Sequence, residues 1–146
     1  MYTRTSETYN VAEKVMTFAG GTTNDPGDFD GTGNPATLFT VTGTVFMKLI
    51  AVCTADLAGA TATLIVGTAK DTDALLVSTV ATDIDVNEIW HDATPDNSVE
   101  ATTVAAERIV NQSVIQTVGI ANITSGSLRY ICLWRPASAN ATVRAA

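Results

Sequence analysis

Two neighbouring stretches decide the fold: ATLFTVT at residues 36–42 and VFMKLIAVCT at residues 45–54, separated by Gly43 and Thr44. Both are short and dense in Thr, Val, Ile, Leu and Phe, residues whose branched or flat side chains pack well on a pleated surface. The first reads as a strand. The second is apolar at nearly every position except Lys48, which predicts a central strand rather than an edge. The glycine between them is turn punctuation.

The same pattern recurs outward from this pair. In ATATLIVG at 60–67, Ala60, Ala62, Leu64 and Val66 share one face and Thr61 and Thr63 the other, the period of two expected of a strand. LLVSTV at 75–80, SVIQTVG at 113–119 and SLRYICLWR at 127–135 complete the set. The last two are joined by a segment containing Gly126, which predicts a hairpin. Helix is scarce. ATTVAAERIV at 101–110 reads either as a helix of about two turns or as a loop with a strand at 107–110, since its Thr and Val content weakens a helix. Short apolar runs with frequent turn signals predict an all-β, single-domain antiparallel β-sandwich.

The ends differ from this middle. Residues 19–35, AGGTTNDPGDFDGTGNP, and residues 136–146, PASANATVRAA, are rich in small, polar and turn-forming residues. The expected organisation is an N-terminal arm or loop region over 1–35, a sandwich over 36–135 and a C-terminal tail over 136–146. The two ends read either as frayed termini or as extended arms that order against a neighbouring subunit.

Length and composition set limits on function. A chain of 146 residues makes one domain and can bury roughly 70% of its unfolded surface. With 46% hydrophobic and 16% charged residues it is globular. A net charge of −7 opposes sequence-independent binding to nucleic acid, which needs clustered Lys and Arg. No apolar run is long enough to span a membrane as a helix, and the opening MYTRTSETYNVAEK lacks the apolar core of a secretory signal. Cys53 and Cys132 each lie in an apolar strand-like run. They read as buried thiols, with a cross-strand disulfide as the alternative.

The densest polar chemistry is IDVNEIWHDATPD at 84–96, with the chain's one histidine, His91, between Trp90 and Asp92 and with Asp83, Asp85 and Glu88 close by. Catalysis would need a nucleophile and an orienting acid around His91, and zinc would need three or four ligands at suitable spacing; the sequence offers neither as a motif. Asp83-Ile84-Asp85-Val86-Asn87 imitates the opening of an EF-hand loop. Glu88 stands where that loop needs Gly, and Thr94 where it needs Glu. Asp25, Asp28 and Asp30 form another acidic loop that reads as turn chemistry. Gly20-Gly21 and Gly31-Thr32-Gly33 lack the strand–turn–helix setting of a phosphate loop. The expectation is no enzyme, no cofactor and no metal. Asp83, Asp85, Glu88, Trp90, His91 and Asp92 form a structural or contact loop, with Trp90 packed inward and His91 at the surface or an interface.

Nine of the fifteen acids lie between Lys70 and Arg108, a span with no basic residue inside it, while Arg4, Arg129, Arg135 and Arg144 lie toward the ends. This asymmetry suits contacts with neighbouring chains.

Four stretches carry a family resemblance: NPATLFTVTGTV at 34–45, ATDIDVNEIWHDATPD at 81–96, TVGIANITSG at 117–126 and YICLWRP at 130–136. In their order and spacing they resemble small virion proteins of tailed bacteriophages, of the capsid decoration or cement class. The resemblance begins at residue 34. It implies a jelly-roll-like β-sandwich that binds the outer capsid surface, is assembled in the host cytoplasm, bridges major capsid protein subunits, and associates with itself as a dimer or trimer. It implies no nucleic-acid or membrane partner. A tail or fibre-associated β-sandwich binding module is the alternative.

Overall fold

The computed structural model describes residues 8–20, 22–100 and 106–146. Its strands, in chain order, are β1 (Asn10–Thr17), β2 (Ala36–Thr42), β3 (Val45–Ala58), β4 (Thr63–Gly67), β5 (Leu76–Val80), β6 (Glu88–Trp90), β7 (Asp96–Asn97), β8 (Arg108–Val110), β9 (Val114–Gly119), β10 (Ser125–Pro136) and β11 (Thr142–Ala145). A 3-10 turn at Ala81–Asp83 leads from β5 toward β6.

Two antiparallel sheets pack face to face as a β-sandwich. The first has the order β1-β10-β3-β6-β7, with β8 also paired to β3; the second has the order β11-β2-β9-β4-β5. β3 is central, as its apolar sequence predicts: β10 lies along one edge, and β8 and β6 share the other. Alternation builds the core between the sheets. Val45, Met47, Leu49, Ala51 and Cys53 of β3 point inward and are buried, as are Leu128, Tyr130 and Cys132 of β10. Leu64 and Val66 of β4 and Val114, Gln116 and Val118 of β9 meet them from the second sheet. At 25 cal/mol per Å² or so, burial of this many large side chains is the main stabilising term.

Three polar contacts inside this core join the sheets. The Tyr130 hydroxyl donates to Gln116 Oε1 at 2.6 Å, linking β10 to β9. Trp90 Nε1 donates to Thr79 Oγ1 at 2.9 Å, linking β6 to β5. The Thr79 hydroxyl lies 3.3 Å from the Asp92 carbonyl oxygen and 3.1 Å from that of Val77. The Trp90 and Tyr130 rings pack tilted at 58° with centroids 6.3 Å apart. Burial pushes the Tyr130 phenol well above its usual range.

The structure corrects two sequence expectations. First, the predicted arms are parts of the sandwich wherever they are described. β1 pairs along eight residues of β10, and Met16 and Phe18 enter the core. The following loop folds around Asp25, whose carboxylate accepts the backbone N–H groups of Ala19, Gly20 and Gly27 at 2.7–2.8 Å. Asn34 ties the end of that loop to β9, donating to the Val118 carbonyl at 2.8 Å and accepting from the Val118 N–H at 2.9 Å. At the other end β11 pairs with β2, and Val143 is buried. Backbone pairing and a few apolar anchors fix both ends.

Second, residues 113–119 and 127–135 do not form a hairpin. β9 lies in the second sheet and β10 in the first, so the segment between them crosses from one layer to the other. Ile123 is buried in that crossing. Gly126 makes the entry into β10 possible: its φ is +104°, and a Cβ there would lie 2.4 Å from the Asp56 carbonyl oxygen. The register of β10 against β3 shifts across this glycine, between Ser125 and Ser127, and again between Ser127 and Leu128. Of the two readings for 101–110, the structure has the strand, β8 at Arg108–Val110; residues 101–105 lie outside the described residues, as do residues 1–7 and Gly21.

Both cysteines are free and buried, as read from the sequence. No helix among the described residues is long and apolar enough to cross a membrane.

Candidate functional site

The loop singled out by sequence divides into two unlike halves. In the first half, the 3-10 turn and the residues after it form a self-bonded corner. The Asp85 N–H donates to Glu88 Oε2 at 2.8 Å, the Glu88 N–H donates back to the Asp85 carbonyl at 3.0 Å, and the Val86 N–H donates to Asp56 Oδ1 at 2.6 Å. Asn87 takes a φ of +71°, a left-handed conformation that asparagine tolerates, and its N–H reaches the Cys53 carbonyl at 2.9 Å. Asp83 and Asp85 are exposed. The carboxylates that brace this turn are those of Glu88 and Asp56.

In the second half, β6 and β7 form a small hairpin in which Glu88 faces Asn97 and Ile89 faces Asp96. Trp90 ends β6 with its ring fully buried, as predicted. His91 follows, and here the expectation of a place at the surface or an interface is corrected: its side chain is only 1% exposed, enclosed by its own chain. Glu100 Oε2 comes to 3.0 Å from His91 Nε2, and Asp92 Oδ2 to 3.8 Å from Nδ1. Neither ring nitrogen makes an aligned hydrogen bond among the described residues; Glu100 lies close but off the N–H direction. The other oxygen of Asp92, Oδ1, accepts the Thr94 N–H at 2.7 Å and its hydroxyl at 3.1 Å, which fixes the carboxylate. Of the six predicted residues, the structure therefore brings His91 and Asp92 together and leaves Asp83, Asp85 and Glu88 at the other end of β6. Glu100 completes the group. It lies nine positions from His91 along a polar loop, and no local spacing marks it.

Among the described residues, this corner holds no assembled nucleophile. Cys53 and Cys132 sit in the core, where burial pushes their thiols up to about 11 and about 12. At neutral pH both are protonated and inert.

The outward face of the first sheet is the second candidate site. Every other residue of the first sheet's long strands points away from the core, and most of these are apolar. In register across the sheet, Val11, Leu133 and Lys48 form one row; Glu13, Ile131 and Ile50 the next; Val15, Arg129, Val52 and Ile89 a third. Arg135, Phe46 and Ile109 form a fourth. Val11, Val15 and Ile109 are 59%, 57% and 71% exposed. One end of the face carries a polar cluster. Arg135 lies 4.5 Å from the Phe46 ring centre and pairs with Glu107 at 3.0 Å, and the Tyr9 hydroxyl donates to the same carboxylate. These contacts hold the Glu107 carboxyl below its usual range, Arg135 leading and Tyr9 second.

Comparison with family models, with curated proteins and with solved structures found no match.

Proposed function

We propose that this chain is a structural binding protein whose outward first-sheet face docks on another protein surface. On the resemblance of residues 34–45, 81–96, 117–126 and 130–136, that surface is the outer shell of a tailed-phage capsid. The reading is a decoration or cement protein that bridges major capsid protein subunits and acts as a dimer or trimer. The jelly-roll connectivity and the location on the virion belong to this proposal.

The apolar outward face carries it. Single exposed apolar residues are ordinary on a protein surface, but four adjacent rows on one sheet are a contiguous patch of the kind that marks an interaction site. Glu13, Lys48 and Arg129 interrupt the patch and give it charges that can set register with a partner. The paired termini and the inter-sheet bridges supply the rigid platform that such docking needs, since a preordered face loses little entropy on binding.

The mechanism is mass action. A protein that binds the assembled shell and not its separated subunits stabilises the shell in proportion to occupancy. Heating particles with and without the bound protein tests it: the decorated particles should disrupt at a higher temperature, and equal disruption temperatures would contradict the reading. Copy number separates it from a tail or fibre role. Abundance near that of the major capsid protein supports decoration, and a few to tens of copies per particle contradicts it.

A further inference from the structure

We infer that His91, Asp92 and Glu100 form a binding site for one divalent transition-metal ion of the zinc class, an assignment that stands independently of the capsid reading.

One donor atom from each of the three residues lies within 4.8 Å of the others. His91 and Asp92 leave the end of β6, and Glu100 lies three residues beyond β7, so the small hairpin itself brings them together. The second observation is the state of the imidazole. Buried polar side chains are nearly always hydrogen-bonded. His91 is buried, yet both its ring nitrogens lack an aligned partner among the described residues. A carboxylate oxygen 3.0 Å from Nε2 but off the N–H line is poorly placed for a hydrogen bond. It is well placed to share a metal with Nε2, whereas Asp92 Oδ2 stands 3.8 Å from Nδ1 and would turn toward the same ion on binding. Two donors that each lie about 2.1 Å from one ion, at angles between octahedral and tetrahedral, are roughly 3.0–3.4 Å apart.

Charge and space agree with that geometry. Asp92 and Glu100 supply two negative charges against the two positive charges of the ion. Asp73 and Arg108, which line the adjoining cavity of about 200 Å³ with His91 and Asp92, offset one another. The cavity has room for water to complete the coordination shell beyond three protein ligands. Asp92 Oδ1 is held by Thr94, the kind of outer contact that orients a ligating carboxylate. An imidazole ligand favours zinc-class ions over calcium or magnesium, which prefer all-oxygen shells. Bound there, the ion would clip the loop between Asp92 and Glu100 to the end of β6, next to the Trp90 anchor.

The test uses the full chain, stripped with a chelator and titrated with Zn²⁺ by calorimetry and with Co²⁺ by visible absorption. The expected result is one equivalent per chain, visible d–d bands with Co²⁺, and weaker binding of Ca²⁺. The thermal midpoint should rise by about 5–10 °C when Zn²⁺ stands at a hundredfold excess over its Kd. Glu100→Gln, which keeps the side-chain volume, should fold with an unchanged circular dichroism spectrum. It should lose about tenfold or more in Zn²⁺ affinity, together with most of the thermal shift. His91→Ala should abolish the Co²⁺ bands. Absence of saturable Zn²⁺ binding, equal affinity in folded Glu100→Gln, or Ca²⁺ binding as tight as Zn²⁺ would each overturn the assignment.

Discussion

The two sheets of this sandwich turn similar faces inward and unlike faces outward. On the first sheet, the outward positions of β1, β3, β6, β8 and β10 include Val11, Val15, Phe46, Ile50, Val52, Ile89, Ile109, Ile131 and Leu133. On the second, threonine is the commonest: Thr37, Thr40, Thr42, Thr63, Thr117 and Thr142, with Ile65, Val77, Val80, Ile115 and Arg144 among them. Both side-chain classes suit a pleated strand, because both include branching at Cβ. The first set is the more apolar of the two and gains more by leaving water. The difference therefore says nothing about how the sheets form, and it is the feature on which the proposed docking face rests.

Substitutions can break this comparison at several depths. The largest effect belongs to the shared interior. Trp90→Ala removes a fully buried ring and its bond to Thr79, and should cost about 3–5 kcal/mol in denaturant unfolding. A loss under 1 kcal/mol would mean that this anchor does not hold β6 to the second sheet. Tyr130→Phe keeps the ring but strands the Gln116 carbonyl in the core, and should cost about 1–3 kcal/mol.

The next pair addresses the faces themselves. Val15→Asp on the first sheet and Thr40→Asp on the second both change exposed positions, so each should alter stability by no more than about 0.5 kcal/mol. Their effects on docking should differ. Val15→Asp should weaken cosedimentation with undecorated shells about tenfold or more, because it places a charge in a desolvated contact. Thr40→Asp should leave it unchanged. Equal effects would erase the functional difference between the faces.

Two smaller effects sharpen the picture. Cys53 and Cys132, held up to about 11 and about 12, should resist alkylation at pH 8 in the folded chain and react only on unfolding. Labelling of the native protein at the rate of a free thiol would show that the core opens. The Arg135–Glu107 pair is only half-buried at the surface and should add little at neutral pH. Its sign is nevertheless fixed. The folded Glu107 carboxyl is held low, so its contribution is present above the ordinary carboxylate range and fades as pH falls through the lowered value. The stability difference between wild type and Arg135→Gln should therefore be flat near neutrality and shrink in acid. A difference that grows in acid would reverse the assignment.

Much of the fold is legible in the sequence because β-branched runs and turn residues act locally. β2, β3, β4 and β5 follow from their apolar patterns, and the central place of β3 from its apolar outward positions. β1 is hard to read because NVAEKVMT puts Lys14 on its inward-facing parity, where the side chain reaches the Ala146 carbonyl, and Val11 and Val15 on the outward one. Its strand identity comes from the free edge of β10, which is not a local property. The crossing between β9 and β10 hides for a related reason: Gly126 signals a sharp change of direction, but not which sheet receives the chain. At the site, Trp90 is readable as an anchor, since a large ring in a β-rich stretch has few other places to go. The burial of His91 and its approach to Glu100 are not, because both depend on a two-residue strand, Asp96–Asn97, that folds the loop back on itself.

Hydroxyl-radical footprinting of the chain, free and bound to capsid shells, tests the central claim most directly. The account predicts protection of Val11, Ile109, Ile131 and Leu133 on the first sheet, with Ile65 and Ile115 on the second sheet labelled equally in both states. Protection of Ile65 and Ile115 with the first sheet unchanged would contradict it.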